Sequence, residues 1–182
     1  MTAAPASTVN VAIRPITLQD VTPAYVAWLQ DPEVNQYLET RFVPQTLESV
    51  ASFVQRMIAS SDEFLFAICA DGRHVGNIKV GPVKSHHNVA DVSLFVGDRS
   101  VWGKGVATRA ISLVTRHAFE VLRLGKLGAS LYASNIGSAT AFRRAGYKQE
   151  GLRRQHYVLN GKRVDLLEFG ITADDFAKER IS

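Results

Sequence analysis

The sequence predicts a mixed α/β (α+β) fold, in which helices cover both faces of one mixed sheet. Two dipeptides, Asp71-Gly72 and Asn160-Gly161, are typical of tight turns between antiparallel strands. Between them, residues 90–133 alternate in polarity, then show helical spacing, then alternate again. A strand, a helix and a second strand in that order are typical of a parallel crossover. Hairpins and a crossover in one chain therefore predict antiparallel and parallel neighbours in the same sheet.

Local signals place the individual elements. The segment from Thr17 to Asp20 is predicted to cap the first helix, and Asp31-Pro32 ends it because proline disfavours helix in the preceding residue. Thr46 is a suitable N-cap for a later helix, and Gly146 suits a left-handed helix end. Strands are predicted at 9–16, 63–70, 74–83, 90–96, 127–133, 147–160 and 163–171, and helices at 24–29, 33–38, 46–60, 104–122, 135–145 and 172–180.

The composition is that of a globular protein of one domain. The chain has 182 residues, of which 46% are hydrophobic and 21% charged. Residues 1–8 are small and polar and are predicted to be disordered, which leaves 9–182 as the domain. The net charge of +4 is spread over scattered Lys and Arg residues, a pattern that argues against a nucleic-acid surface.

The location of the protein is predicted from its cysteine content and its apolar runs. A single cysteine, Cys69, excludes a disulfide framework and fits a reducing compartment. The first residues lack the basic and apolar regions of a secretory signal, and no run approaches the ~20 apolar residues of a membrane span. We therefore expect a cytoplasmic protein with no membrane partner.

Residues 95–108 form the stretch around which the rest of the chain is organised. A strand leads into a turn with Gly103 and Gly105, and an amphipathic helix follows at once. The first N–H groups of a helix lack internal partners and lie at the positive end of its dipole, so this junction suits a phosphate or pyrophosphate. A dinucleotide loop would need a third glycine where Thr108 stands, and a Walker loop would need Gly-Lys-Ser/Thr.

The loop resembles that of a known family. Residues 102–107, Trp-Gly-Lys-Gly-Val-Ala, resemble the acyl-CoA pyrophosphate loop of the GNAT acetyltransferase superfamily. The usual pattern there is Gln or Arg, two variable residues, Gly, one variable residue, and Gly or Ala. Gly105 and Ala107 match this pattern, whereas Trp102 replaces the Gln or Arg. Asn135, Ser138 and the Gly-Tyr and Glu-Gly pairs at 146–147 and 150–151 resemble the second CoA-contacting segment.

The resemblance extends to one branch of the superfamily. Residues 28–39 and the Gly-Asn-Ile-Lys segment at 76–79 are similar to the branch that contains ribosomal-protein N-terminal acetyltransferases and nucleotide-amino-sugar N-acetyltransferases. It implies a GNAT fold over 9–182, with a mostly antiparallel sheet of six to seven strands and a splayed central strand pair. The implied cofactor is acetyl-CoA as co-substrate, with no metal. The implied CoA-binding residues are Phe95, Val96, Trp102, Gly103, Lys104, Gly105, Val106, Ala107, Thr108, Asn135, Ser138 and Phe142.

The resemblance also implies the chemistry. An amine loses a proton and attacks the thioester, and a backbone N–H of Phe95 or Val96 stabilises the oxyanion. Phe142 stands where many relatives have a Tyr that protonates the leaving thiolate. Ser138, one helical turn earlier, is the candidate donor, although a serine at a helix start also serves to bond the backbone. Asp91 and His156 are the candidate bases, and His156 is favoured over Tyr157 by the resemblance.

The sequence suggests several classes of acceptor for the acetyl group. Asn35, Tyr37 and Arg41 lie in the segment that covers the acceptor side in relatives, and an Arg beside an aromatic residue suits a nucleotide diphosphate. The expected function is N-acetylation of a primary amine on a small molecule, such as a nucleotide-linked amino sugar. Acetylation of a protein N-terminus and a catalytically silent acyl-CoA-binding module remain alternatives, and the resemblance allows a homodimer.

Overall fold

A computed structural model of the protein describes residues 9–179, and the predicted disorder of residues 1–8 lies outside this range. Its centre is a seven-stranded sheet in the order β1-β2-β3-β4-β5-β7-β6. The strands are β1 (Val11–Pro15), β2 (Phe64–Ala70), β3 (Arg73–Val80), β4 (Val89–Val96), β5 (Lys126–Tyr132), β6 (Lys148–Leu159) and β7 (Lys162–Thr172). The β4–β5 pair is parallel and the other neighbours are antiparallel, so the predicted mixed sheet is confirmed.

Helices pack on both faces of this sheet, as predicted. They are α1 (Pro23–Gln30), α2 (Pro32–Asn35), α3 (Leu47–Ala59), α4 (Val106–Glu120), α5 (Ile136–Arg144) and α6 (Ala173–Glu179). One apolar cluster joins α4 to the sheet through residues such as Ile111, Val114 and Ile78. A second cluster joins α1 and α3 to the opposite face, around Tyr25 and Val54.

Most of the helix caps and turns predicted from the sequence are present in the structure. The Thr46 hydroxyl accepts a hydrogen bond from the Ser49 N–H and caps α3, and Asn160 and Gly161 adopt φ angles of 50° and 75° in the β6–β7 turn. The predicted cap of the first helix is wrong. Residues Leu18–Asp20 form a separate 3-10 turn, and α1 starts later, because Thr22 caps it ahead of a proline at its first turn.

The two central strands separate part-way along their length. Strands β4 and β5 pair only from Val89↔Lys126 to Asp91↔Gly128, and their remaining residues diverge. Backbone groups of an extended strand point alternately to its two sides. The Gly81 N–H donates to the Asp91 carbonyl at 2.9 Å, so the backbone N–H and C=O groups of the odd-numbered residues of β4 point toward β3. The N–H and C=O groups of Leu94 and Val96 therefore face the opening between β4 and β5.

The Arg14–Asp20 ion pair makes the stability of the fold depend on pH. Arg14 bonds the Asp20 carboxylate at 2.5 and 2.7 Å, which lowers the pKa of this buried carboxyl from 3.8 to about 2. A lowered folded-state pKa adds stability above the unfolded pKa, and this stability is lost as pH falls through the folded pKa.

We expect Asp20→Asn to lower the free energy of unfolding at pH 7 by about 1 to 2 kcal/mol, since Arg14 is half-exposed and solvent screens the pair. Denaturant unfolding of both proteins should show the difference shrinking between pH 4 and pH 2, the range spanned by the two pKa values. Parallel stability curves across that range would contradict the assignment.

Candidate active site

A cavity of about 640 Å³ fills the opening between β4 and β5. Its floor is formed by Val92, Leu94 and Val96 of β4, and by the last residues of β5. The turn from Trp102 to Thr108 and helix α5 form one wall, and the segment 33–39 covers the other end. The size is within the usual range for a site that holds a small molecule or a cofactor.

The glycine turn presents free backbone donors to this cavity. Gly103 and Gly105 have φ angles of 73° and 77°, a left-handed conformation that side chains disfavour. A Cβ atom at either position would meet nothing within 4 Å, so these glycines are needed for their backbone angles and not for space. Gly105 is the N-cap of α4, and Val106, Ala107 and Thr108 follow it along the cavity wall. Lys104 is exposed and does not line the cavity.

Helix α5 supplies the second predicted segment. The Asn135 side chain accepts a hydrogen bond from the Ser138 N–H at 3.1 Å, so Asn135 caps the helix and both residues line the cavity. Phe142 lies one turn further and packs edge-on against Tyr147 at 5.0 Å. Its ring is 2% exposed and lacks a polar atom, so it forms an apolar wall.

Of the two predicted oxyanion donors, the strand geometry favours Val96. The alternation along β4 directs the Phe95 N–H toward its partner Asn77 on β3, where it is part of the sheet. The Val96 N–H points into the opening beside β5. Phe95 lines the cavity, but its backbone N–H does not point into it.

Neither predicted base lies in the cavity. Asp91 lines a separate groove of about 280 Å³ with Glu150 and Glu168, because β4 and β5 are still paired at this position and no opening exists there. His156 is exposed on β6 and is not among the residues that line the cavity. Tyr157 lines the cavity instead, because adjacent strand residues point to opposite faces and His156 lies on the other one.

Two of the three predicted acceptor residues have structural roles. The Asn35 amide donates to the Leu29 carbonyl at 2.8 Å and thereby ties α2 to α1. Arg41 donates to the Leu38 carbonyl and to the Tyr132 hydroxyl, both at 2.9 Å, and is not among the residues that line the cavity. Tyr37 does line the cavity, and its hydroxyl donates to the Ser134 carbonyl.

Tyr132 and Glu39 were not singled out from the sequence, although both line the same end of the cavity as the predicted Tyr37. Tyr132, at the carboxyl end of β5, donates its hydroxyl to a Glu39 carboxylate oxygen at 2.8 Å. Burial raises the pKa of the Tyr132 phenol, so the hydroxyl stays protonated and available as a donor near neutral pH. Its ring lies 5.6 Å from that of Tyr37 and 5.0 Å from that of Tyr157. The available signal was the place of Tyr132 at the end of a strand in a parallel pair, where ligands commonly bind.

The described residues, 9–179, include neither a metal-binding cluster nor a membrane-spanning helix. Within that range there is no group of three or more His, Cys, Asp or Glu side chains arranged to hold a metal ion. None of the helices described there is long and apolar enough to cross a bilayer.

Comparison with known proteins decides the family. A family model described as an acetyltransferase (GNAT) domain matches residues 10–148, which is most of the chain. The chain belongs to the GNAT acetyltransferase family. The domain is that of an acetyl-CoA-dependent acyltransferase.

Individual relatives of this GNAT domain are distant. A probable N-acetyltransferase YjcK of Bacillus subtilis is 29% identical over 110 residues, a region that spans 59% of this chain and 60% of that protein. Spermidine N(1)-acetyltransferase of Escherichia coli is 22% identical over 153 residues, or 84% and 81% of the two chains.

Solved structures show the same fold. Spermidine N-acetyltransferase from Vibrio cholerae, solved with CoA and spermine, superposes with a TM-score of 0.81. The superposition covers 92% of this chain and 98% of that one, at 16% identity. At this identity the likeness concerns the GNAT fold.

Proposed function

We propose that this protein transfers the acetyl group of acetyl-CoA to a primary amine of a small cationic molecule of the polyamine class. The observation that carries the proposal is the charge at the acceptor end of the cavity. Glu33 and Glu39 are the charged residues of segment 33–39 that line it. Arg41, the cation nearest to them in the chain, is held by Leu38 and Tyr132, lies 3.8 Å from Glu39, and does not line the cavity.

The aromatic side chains at the same end support this acceptor. Tyr37, Tyr132 and Tyr157 lie with neighbouring ring centroids 5.0 to 5.6 Å apart along the cavity wall. The electron-rich faces of aromatic rings attract ammonium groups, and an adjacent carboxylate strengthens the attraction. A molecule with two or more ammonium groups can place one against this wall while another reaches the thioester.

The charges disfavour the nucleotide-linked amino sugar that the sequence suggests. A diphosphate at the acceptor end would face the Glu33 and Glu39 carboxylates, and the nearby guanidinium groups are already paired with them, Arg99 with Glu33 at 2.6 Å and Arg41 with Glu39 at 3.8 Å. Like charges held close together repel each other. The two spermidine acetyltransferases that resemble this chain support the cationic class as well.

The proposed chemistry uses groups that face the cavity. A polyamine is protonated near neutral pH and must lose a proton before it attacks. Glu39, bonded to the Tyr132 hydroxyl, is the proposed acceptor of that proton, directly or through water. The Val96 N–H is the proposed oxyanion donor, and Ser138 remains the proposed donor to the leaving thiolate.

A thiol-release assay with an acceptor panel tests the function. The panel contains spermidine, putrescine, UDP- and dTDP-amino sugars, and short peptides with free N-termini. We expect turnover with the polyamines and little with the amino sugars. Turnover confined to peptides would identify an N-terminal acetyltransferase, and turnover confined to amino sugars would overturn the cationic class. Tight acetyl-CoA binding without turnover of any acceptor would identify a silent binding module.

We expect Glu39→Gln to raise KM for spermidine by about three- to tenfold, the effect of losing one exposed charge contact, and to lower kcat, because an amide does not take up the proton of the amine. The dissociation constant for acetyl-CoA should stay within about twofold, because Glu39 lies at the acceptor end. Glu48→Gln is the matched control, since Glu48 is exposed at the start of α3 and does not line the cavity. Equal KM values for both variants would remove Glu39 from the acceptor site.

A further inference from the structure

Trp102 stands where the family pattern has Gln or Arg, and its indole bonds the protein's own backbone. The Nε1–H group donates a hydrogen bond of 2.8 Å to the Val96 carbonyl. Val96 is the last residue of β4, and its carbonyl faces the opening between β4 and β5. The indole therefore fixes the free end of the strand along which the cavity runs. A carbonyl oxygen has two lone pairs, so Val96 keeps the capacity to accept a second hydrogen bond from a ligand.

The ring of Trp102 is linked through Arg99 to the acceptor end of the cavity. The Arg99 guanidinium lies 5.8 Å from the centroid of the Trp102 ring, within cation–π distance. The same guanidinium contacts Glu33 at 2.6 Å and Asp31 at 3.6 Å. Asp31 caps α2 and Glu33 lies in its first turn. Arg99 therefore holds the start of the segment 33–39, which we call the acceptor cover.

These contacts form one continuous path, which we call the Trp102 bridge: Val96, Trp102, Arg99, then Asp31 and Glu33. Arg99 is half-exposed, and an isolated ion pair at such a site contributes little to stability. Here one guanidinium is held by a ring on one side and by two carboxylates on the other. The bridge consequently acts by fixing positions: it links the strand end beside the thioester to the helix that covers the acceptor.

We propose that Trp102 is a positioning residue that couples the two substrate sites. Its indole N–H holds the Val96 strand end for the pantetheine arm, and its ring transmits that position through Arg99 to α2. This role rests on the proposed function, which places the thioester at Val96. Coupling between two sites is reciprocal, so each substrate tightens the binding of the other by the same factor.

The test uses CoA and spermidine, which together form a complex that cannot react. Calorimetry gives the dissociation constant for CoA with and without saturating spermidine. For the wild type we expect spermidine to tighten CoA binding. Trp102→Phe keeps a ring and removes the N–H, so it should weaken CoA binding by about three- to tenfold, the usual effect of one lost hydrogen bond.

Arg99→Gln separates the two parts of the bridge. It leaves the Trp102–Val96 bond intact, so CoA binding alone should change by less than about twofold while the coupling factor falls toward one. Arg73→Gln is the matched control, because Arg73 also forms an exposed ion pair, with Asp98 at 3.3 Å, but does not touch α2. The coupling factor of Arg73→Gln should equal that of the wild type. The emission of the Trp102 indole, obtained as the difference between the fluorescence of the wild type and that of Trp102→Phe, should shift when CoA is added.

The outcomes separate this inference from the proposed function. A wild type that fails to bind CoA overturns both. A wild type that acetylates amines, together with a Trp102→Phe variant that binds CoA as tightly, overturns the positioning role alone. Normal coupling in Arg99→Gln shows that the bridge does not reach the acceptor cover. If spermidine does not bind, the acceptor class is wrong, and the CoA affinity of Trp102→Phe still decides the role of the indole.

Discussion

Gly105→Val raises the dissociation constant for acetyl-CoA by at least about tenfold, which corresponds to about 1.4 kcal/mol. Gly105 has a φ of 77°, and a β-branched residue strongly disfavours this left-handed conformation. The turn can relieve the strain only by moving the first N–H groups of α4 away from their present direction. Those N–H groups are the proposed contacts to the pyrophosphate, so the loss appears in donor affinity, measured by calorimetry with acetyl-CoA.

Gly161→Val is the control for backbone strain without a change at the donor site. Gly161 has a φ of 75° at the tip of the β6–β7 hairpin, and a Cβ atom there would also meet nothing within 4 Å. Both variants should lower the melting temperature, but only Gly105→Val should weaken acetyl-CoA binding. Equal affinities for acetyl-CoA in the two variants would show that α4 does not bind the co-substrate.

Tyr132→Phe lowers kcat/KM for the amine by about tenfold while the dissociation constant for acetyl-CoA stays within about twofold. The hydroxyl donates to Glu39 and accepts from Arg41, so its removal frees the carboxylate to move and leaves the guanidinium short of one partner. The ring contacts with Tyr37 and Tyr157 stay, because the Phe ring has the same shape. Steady-state kinetics with spermidine and direct binding of acetyl-CoA measure the two quantities.

Tyr147→Phe is the matched control for the loss of a phenol. The Tyr147 hydroxyl bonds that of Thr115 at 2.9 Å in the core, and Tyr147 does not line the cavity. We expect it to lower the free energy of unfolding by about 1 kcal/mol and to leave kcat/KM unchanged. If Tyr132→Phe affected only stability, as this control does, the hydroxyl would have a structural role alone.

The sequence was most informative where the relevant interactions are local. Thr46 and Ser49, or Asn135 and Ser138, lie three residues apart, so a helix cap follows from their order in the chain. The turn at Asn160-Gly161 depends on the backbone angles of those two residues. The proposed donor site belongs to this class, because the glycine turn and the helix that follows it are one continuous segment. That is why the donor was predicted in detail.

The acceptor end depends on residues far apart in the chain. Glu39 and Tyr132 are separated by 93 positions, and they meet only because the cover segment packs over the carboxyl end of β5. No spacing rule connects such residues, and the prediction accordingly named Asn35 and Arg41, whose polar groups are used within the fold.

The sequence by itself determined the glycine turn, the caps of α3 and α5, the hairpins and the order of elements, since each of these is fixed by neighbouring residues. Only the tertiary structure decided which side chains face the cavity. Asp91 falls short of the cavity because β4 and β5 are still paired there, and Tyr157 lines the cavity in place of His156 because adjacent strand residues point to opposite faces. The separation of the strands and the face of β6 that meets the cavity both arise from the packing of whole strands, which no local pattern of residues specifies.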